Sequence, residues 1–192
     1  ANILTGDSGS LRMETGSGAQ SGNQVIATGT AAIDSGDLTI SSGAVLAGVS
    51  GSIKLSTGRS GGTSSGSVNV QAGSSTMGQG GSVTMSGGSA EALDQSGGDI
   101  VAQGGNSLSA TGGRVLLRSG SSGASQSGDI RILSSASEMG NSGSINMMAG
   151  ISESATSNAG SVNIAAGSSL SESGDVRFRA GSSSTNQGGD IA

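Results

Sequence analysis

The sequence predicts an all-β fold. It is a narrow parallel β-solenoid (β-helix) with one strand phrase per turn, about 15 residues per turn and a handedness left open. Three observations predict it. Apolar residues alternate in short phrases, glycines bracket those phrases in phase, and the unit recurs along residues 1–192. The whole chain reads as one continuous segment of a longer array, because it closes on GGDIA, part-way through a unit.

The phrase is G, then S or D, then apolar–x–apolar–x–small–G. GSVNVQAG (66–73), GSVNIAAG (160–167), GSIKLSTG (51–58) and GDVRFRAG (174–181) are examples. The first apolar slot, the anchor, falls at Leu11, Gln24, Leu38, Ile53, Val68, Val83, Ile100, Val115, Ile130, Ile145, Val162, Val176 and Ile191. Successive anchors are 13 to 17 residues apart, with a mean of 15. Gln24 is the one polar anchor.

A second apolar residue follows two positions later, which is the period of an extended strand. The expected core stack is therefore Ile53 and Leu55, Val68 and Val70, Val83 and Met85, Val115 and Leu117, Ile130 and Ile132, Ile145 and Met147, Val162 and Ile164, and Val176 and Phe178. Four positions after the anchor the residue is always small, from Thr15 to Ala180, which suggests a core tapering towards a corner. In a solenoid Val68 would touch Ile53 and Val83. Thirteen phrases at about 4.8 Å would form a rod of roughly 60 Å.

Glycine stands two positions before every anchor. The expected turn glycines include Gly36, Gly51, Gly66, Gly81, Gly98, Gly113, Gly128, Gly143, Gly160 and Gly174. Five positions after the anchor glycine recurs, with Ser135 as the departure. Such brackets supply positive φ or close backbone approach. All changes of spacing fall between the brackets, in a link of the form S-x-x-x-x-x-x-G. Most links carry a moderately apolar residue, among them Ile33, Leu46, Met77, Leu93, Leu108, Met139 and Leu170; the unit from Ile53 has Gly62 and Thr63 there and the last full unit Thr185. These are expected to reach back across the core, or else to cover an edge in a segment that is mostly loop.

Composition limits the chemistry. Of 192 residues 38 are glycine and 43 serine, with no cysteine, histidine, proline, tryptophan or tyrosine, and with Phe178 the one aromatic residue. Thiolate and imidazole metal sites, cysteine nucleophiles and histidine triads are thereby excluded. A net charge of −5 argues against a nucleic-acid groove. No stretch reaches the roughly 18 apolar residues of a membrane-spanning helix. The N-terminal residues carry no basic-then-apolar leader.

The odd positions of the phrase should face outward, and they vary in size and charge. Val101, Leu116, Leu133, Met148 and Ala165 form an apolar series there, a candidate lateral contact; scattered surface residues are the bland alternative. Asp37, Asp99, Asp129, Asp175 and Asp190 share the slot before an anchor. Serine or asparagine holds most of the other copies of that slot, which fits a turn role; calcium binding is the lesser reading. The outer slots lack the repeated threonines of an ice-binding face, and no carboxylate pair suggests acid–base catalysis. A flexible Gly/Ser linker is the competing fold. A glycine-helix bundle lacks its triplet period, and a nine-residue calcium roll lacks its spacing.

The glycine brackets and GSVNV-type strands resemble glycine- and serine-rich β-solenoid segments of large extracellular fibres and adhesins. That resemblance implies a structural rod or filament segment at the cell surface or outside the cell, without catalysis or cofactor. Its partners would be copies of itself or other fibre subunits. The alternative it implies is an adhesive module that recognises a glycan or a surface protein through one face.

Overall fold

The computed structural model describes residues 9–185 and 187–192. The reading of a missing leader falls outside the described residues. Among those described there is neither helix nor strand. The chain alternates between extended phrases and bends. The bends lie at 18–20, 32–33, 46–48, 61–63, 76–78, 92–94, 108–110, 123–125, 138–140, 155–157, 170–171 and 184–185, one in each link between phrases.

The predicted β-solenoid is therefore corrected. A solenoid requires the N–H and C=O groups of one phrase to bond those of the next turn along their length. The backbone hydrogen bonds observed instead join the glycines at the two mouths of a link: Gly81 N–H to Gly73 C=O (2.9 Å), Gly98 to Gly88 (2.8 Å) and Gly113 to Gly105 (2.8 Å) are three. Gly128 to Gly120, Gly160 to Gly150, Gly174 to Gly167 and Gly189 to Gly181 repeat the pattern at 2.9–3.0 Å. None connects the interiors of two phrases, so Val68 and Val83 share no ladder bond.

The expected core stack also fails. No described residue is buried. The anchors are only partly shielded; Val68 is 52 % exposed and Val176 43 %. The link residues that were to form the opposite wall point away instead: Leu46, Leu108 and Leu170 are 108–110 % exposed. The physical reason lies in the repeat itself. Each unit offers two regularly placed apolar side chains on one side, and its second half is glycine and serine around a bend. Without a second wall the phrases cannot leave water, and the ordering entropy of a ladder is not offset.

The phrases are nonetheless extended and alternate. Arg177 donates to Asp175 across two residues (2.6 Å), Arg131 to Asp129 (3.4 Å) and Asn163 to Ser161 (3.3 Å). Arg12 reaches Glu14 in the same way (2.8 Å). Side chains two apart meet when the backbone is extended and they share a face.

The chain divides into two units, Ala1–Gly98 and Asp99–Ala192. In the first, the closing hydrogen bond is made at the links after Gly73 and Gly88. In the second, every link is closed except the one between Ser135 and Gly143.

Candidate functional site

The repeated feature with definite geometry is the closed link; two residues meet at its mouth, and a third, a serine, fixes the bend in many links, closed and open alike. The first is the leading glycine of the next phrase. A methyl group at Gly113 would lie 2.8 Å from the Gly105 nitrogen, and one at Gly81 would lie 3.2 Å from the Cβ of Ala72. A side chain at Gly104 would overlap the Gly113 carbonyl oxygen. Close approach is thus the reason for glycine at Gly81 and Gly113. Positive φ is not: among described glycines it occurs at Gly48, inside a link.

The second residue is the small one four positions after the anchor. The most shielded of the described residues are Ala72, Gly104, Ser119, Ala149 and Ala180, and all five occupy this position beside a closed mouth. Its small size therefore reflects closure of the link rather than a tapering core. Closed links have Ala72, Gly87, Gly104, Ser119, Ala149, Ala166 or Ala180 there; open ones have Thr15, Thr28, Ser42, Thr57 or Ser134. In the open link after Thr57 the threonine methyl stands 3.6 Å from where a Cβ on Gly66 would be. Threonine precedes an open link at each of Thr15, Thr28 and Thr57, whereas serine precedes both kinds, closed at Ser119 and open at Ser42 and Ser134.

The third residue is a serine seven positions after the anchor, whose hydroxyl accepts a backbone N–H within the bend. Ser75 accepts from Gly78 (2.9 Å), Ser107 from Ala110 (3.0 Å), Ser122 from Ser125 (2.9 Å) and Ser137 from Gly140 (3.0 Å). Ser60 and Ser169 do the same with Gly62 and Ser171 at 3.1 Å. These are serine turns, which fix a bend by local hydrogen bonding. In the long link after Gly150 the role passes to Ser154, which accepts from Thr156 (3.4 Å). The sequence pattern S-x-x-x-x-x-x-G begins one residue earlier, at Ser74 in the link before Gly81, and gives the turn serine no role; the available signal was that serine stands seven positions after the anchor from Ile53 onward, except in the unit from Val83.

The other candidates stay apart. Val101, Leu116, Leu133 and Met148 are exposed on separate phrases (65–91 %), and Ala165 is exposed as well. No ladder aligns one above another. Asp129 and Asp175 hold arginines of their own phrases. Among the described residues no three acidic side chains converge as metal ligands would. The expected turn glycines divide: Gly81, Gly98, Gly113, Gly128, Gly160 and Gly174 close links, whereas Gly36, Gly51, Gly66 and Gly143 make no closing bond. A hollow of about 530 Å³ framed by Thr57–Ser65 is the interior of one open link, with no buried polar side chain in it. Among the described residues no helix is long and apolar enough to cross a membrane.

Comparison with protein-family models, curated proteins and solved structures found no significant match to this chain. The resemblance to fibre and adhesin solenoids is corrected accordingly, since it rested on a β-solenoid that the chain does not form. The structural-rod function falls with it, because stacking into a rod requires a regular sheet. The adhesive module loses the solenoid face through which it would have bound.

Proposed function

We propose that this chain is a non-catalytic, multivalent association segment. It displays short apolar phrases on an open Gly/Ser backbone, and these phrases bind weakly to those of other copies. One observation carries the reading: large apolar side chains recur in phase along the chain and all remain exposed, from Leu11 to Ile191. A solvated spacer has no use for Val and Ile at a fixed interval, whereas a segment that buries them on contact does. The closed links bring the ends of neighbouring phrases together and shorten the path between them. Many weak contacts on one chain then act together through effective concentration.

Sedimentation equilibrium over a concentration series tests this. The weight-average mass should rise above 18.0 kDa with concentration. A variant carrying Val68→Ser, Val83→Ser, Val115→Ser, Ile130→Ser, Val162→Ser and Val176→Ser should remain a monomer over the same range. A wild-type chain that stays monomeric throughout would refute the proposal.

A further inference from the structure

We infer that two copies of this chain pair through the phrases at 128–135 and 174–181, antiparallel and with anchor opposite anchor, in a register selected by Asp129, Arg131, Asp175 and Arg177. The inference rests on the association reading above and adds the orientation and register of the contact.

These are the two phrases in which an aspartate and an arginine flank the anchor. Asp175 and Arg177 share one face of the extended backbone, 2.6 Å apart, and are 64 % and 84 % exposed. Asp129 and Arg131 repeat the arrangement at 3.4 Å. Extended phrases leave backbone donors and acceptors free along both edges, because the observed backbone bonds lie in the links. Such an edge is a template for another strand.

Charge decides the orientation. In an antiparallel pair centred on Val176, Asp175 lies opposite the Arg177 of the second copy, and Arg177 opposite its Asp175. The four groups then alternate in sign around a square. A parallel pair sets Asp175 against Asp175 and Arg177 against Arg177. An antiparallel pair centred on Arg177 sets that arginine against itself. Opposite charges directly across a pair stabilise it and like charges oppose it.

Size selects the same register on the other face. With anchors opposed, Phe178 faces the Gly174 of the second copy and Ile132 faces its Gly128. Each large side chain meets a residue without one, as when an aromatic ring covers a cross-strand glycine.

The test uses full-length chains and one variant, D129R/R131D/D175R/R177D. Its composition, net charge and apolar pattern are those of the wild type. Antiparallel anchor-on-anchor pairing remains matched within the variant, but all four charge pairs become like-signed between variant and wild type. Both chains carry dyes at an Ala192→Cys substitution for energy transfer. Each chain should associate with itself. Mixed association should be about tenfold weaker at low salt, the scale of four cross-strand charge pairs. The deficit should close near 1 M salt, where the screening length falls to about 3 Å.

If both chains associate and mix freely at low salt, the register is wrong and the association reading stands. Mixing stronger than self-association would establish parallel pairing and overturn the inference. If neither chain associates, the inference and the proposed function fall together.

Discussion

At the scale of the residue, the side chain before a link tracks its closure: alanine and glycine precede closed links, threonine precedes open ones, and serine precedes both. Ala72 and Thr57 occupy equivalent positions, yet the link after Ala72 is closed by Gly81 and the link after Thr57 is open. Thr57→Ala should therefore allow Gly66 N–H to bond Gly58 C=O, and Ala72→Thr should release Gly81. Amide exchange of Gly66 and Gly81 reads both changes. An exposed hydrogen bond of this kind is worth about 0.5–1.5 kcal/mol net, so protection should change by roughly two- to tenfold. The two glycine brackets should also respond differently. Gly113→Ala places a methyl against the Gly105 nitrogen and should open that link. Gly120→Ala enters open space and should leave the Gly128–Gly120 bond intact. Equal effects at the two sites would contradict the close-approach account.

At the scale of the element, the phrase and the link follow separate rules. The phrase holds its length while the link absorbs every insertion. Closing bonds span 7 residues at Gly167–Gly174, 8 at Gly73–Gly81 and 10 at Gly150–Gly160. A serine turn lowers the entropy of bringing the ends of a link together but does not by itself close it, since Ser60 and Ser137 make the turn in open links. Ser122→Ala removes the hydroxyl that accepts from Ser125, and it should raise exchange at Ser125 first and at Gly128 second. Exchange at Gly174, whose link keeps Ser169, should not change. The bend residues Leu46, Leu108 and Leu170 touch little. Their replacement by serine should leave closure unaffected while lowering retention on an apolar matrix.

At the scale of the whole molecule, the absence of any buried residue among those described sets the thermodynamic behaviour. Cooperative unfolding needs a core whose contacts are lost together, and its heat capacity change measures the apolar surface exposed. This chain already exposes that surface. A dilute solution should show no cooperative calorimetric transition and only a shallow, nearly linear response to urea. Far-ultraviolet circular dichroism should lack a β-sheet minimum at low concentration and gain one as copies associate. A sharp two-state transition in the dilute monomer would require a packed core and would contradict the structure.

The sequence alone determined the repeat: where each phrase begins, which positions alternate, which must be small and where length can vary. Those properties are local, and the Arg177–Asp175 pair and the bend in every link express them directly. Its period of two at Val68 and Val70 describes an extended backbone equally well whether or not a neighbour bonds to it. Only the tertiary structure decided that no neighbour does. The second wall needed Leu46, Leu108 and Leu170 to turn inward, and all three are fully exposed whether their link is open, as at Leu46, or closed, as at Leu108 and Leu170. The small residue before each link and the leading glycine after it were visible as a pattern. Their purpose became legible once Ala72 and Gly81 were seen against each other at the mouth of a link.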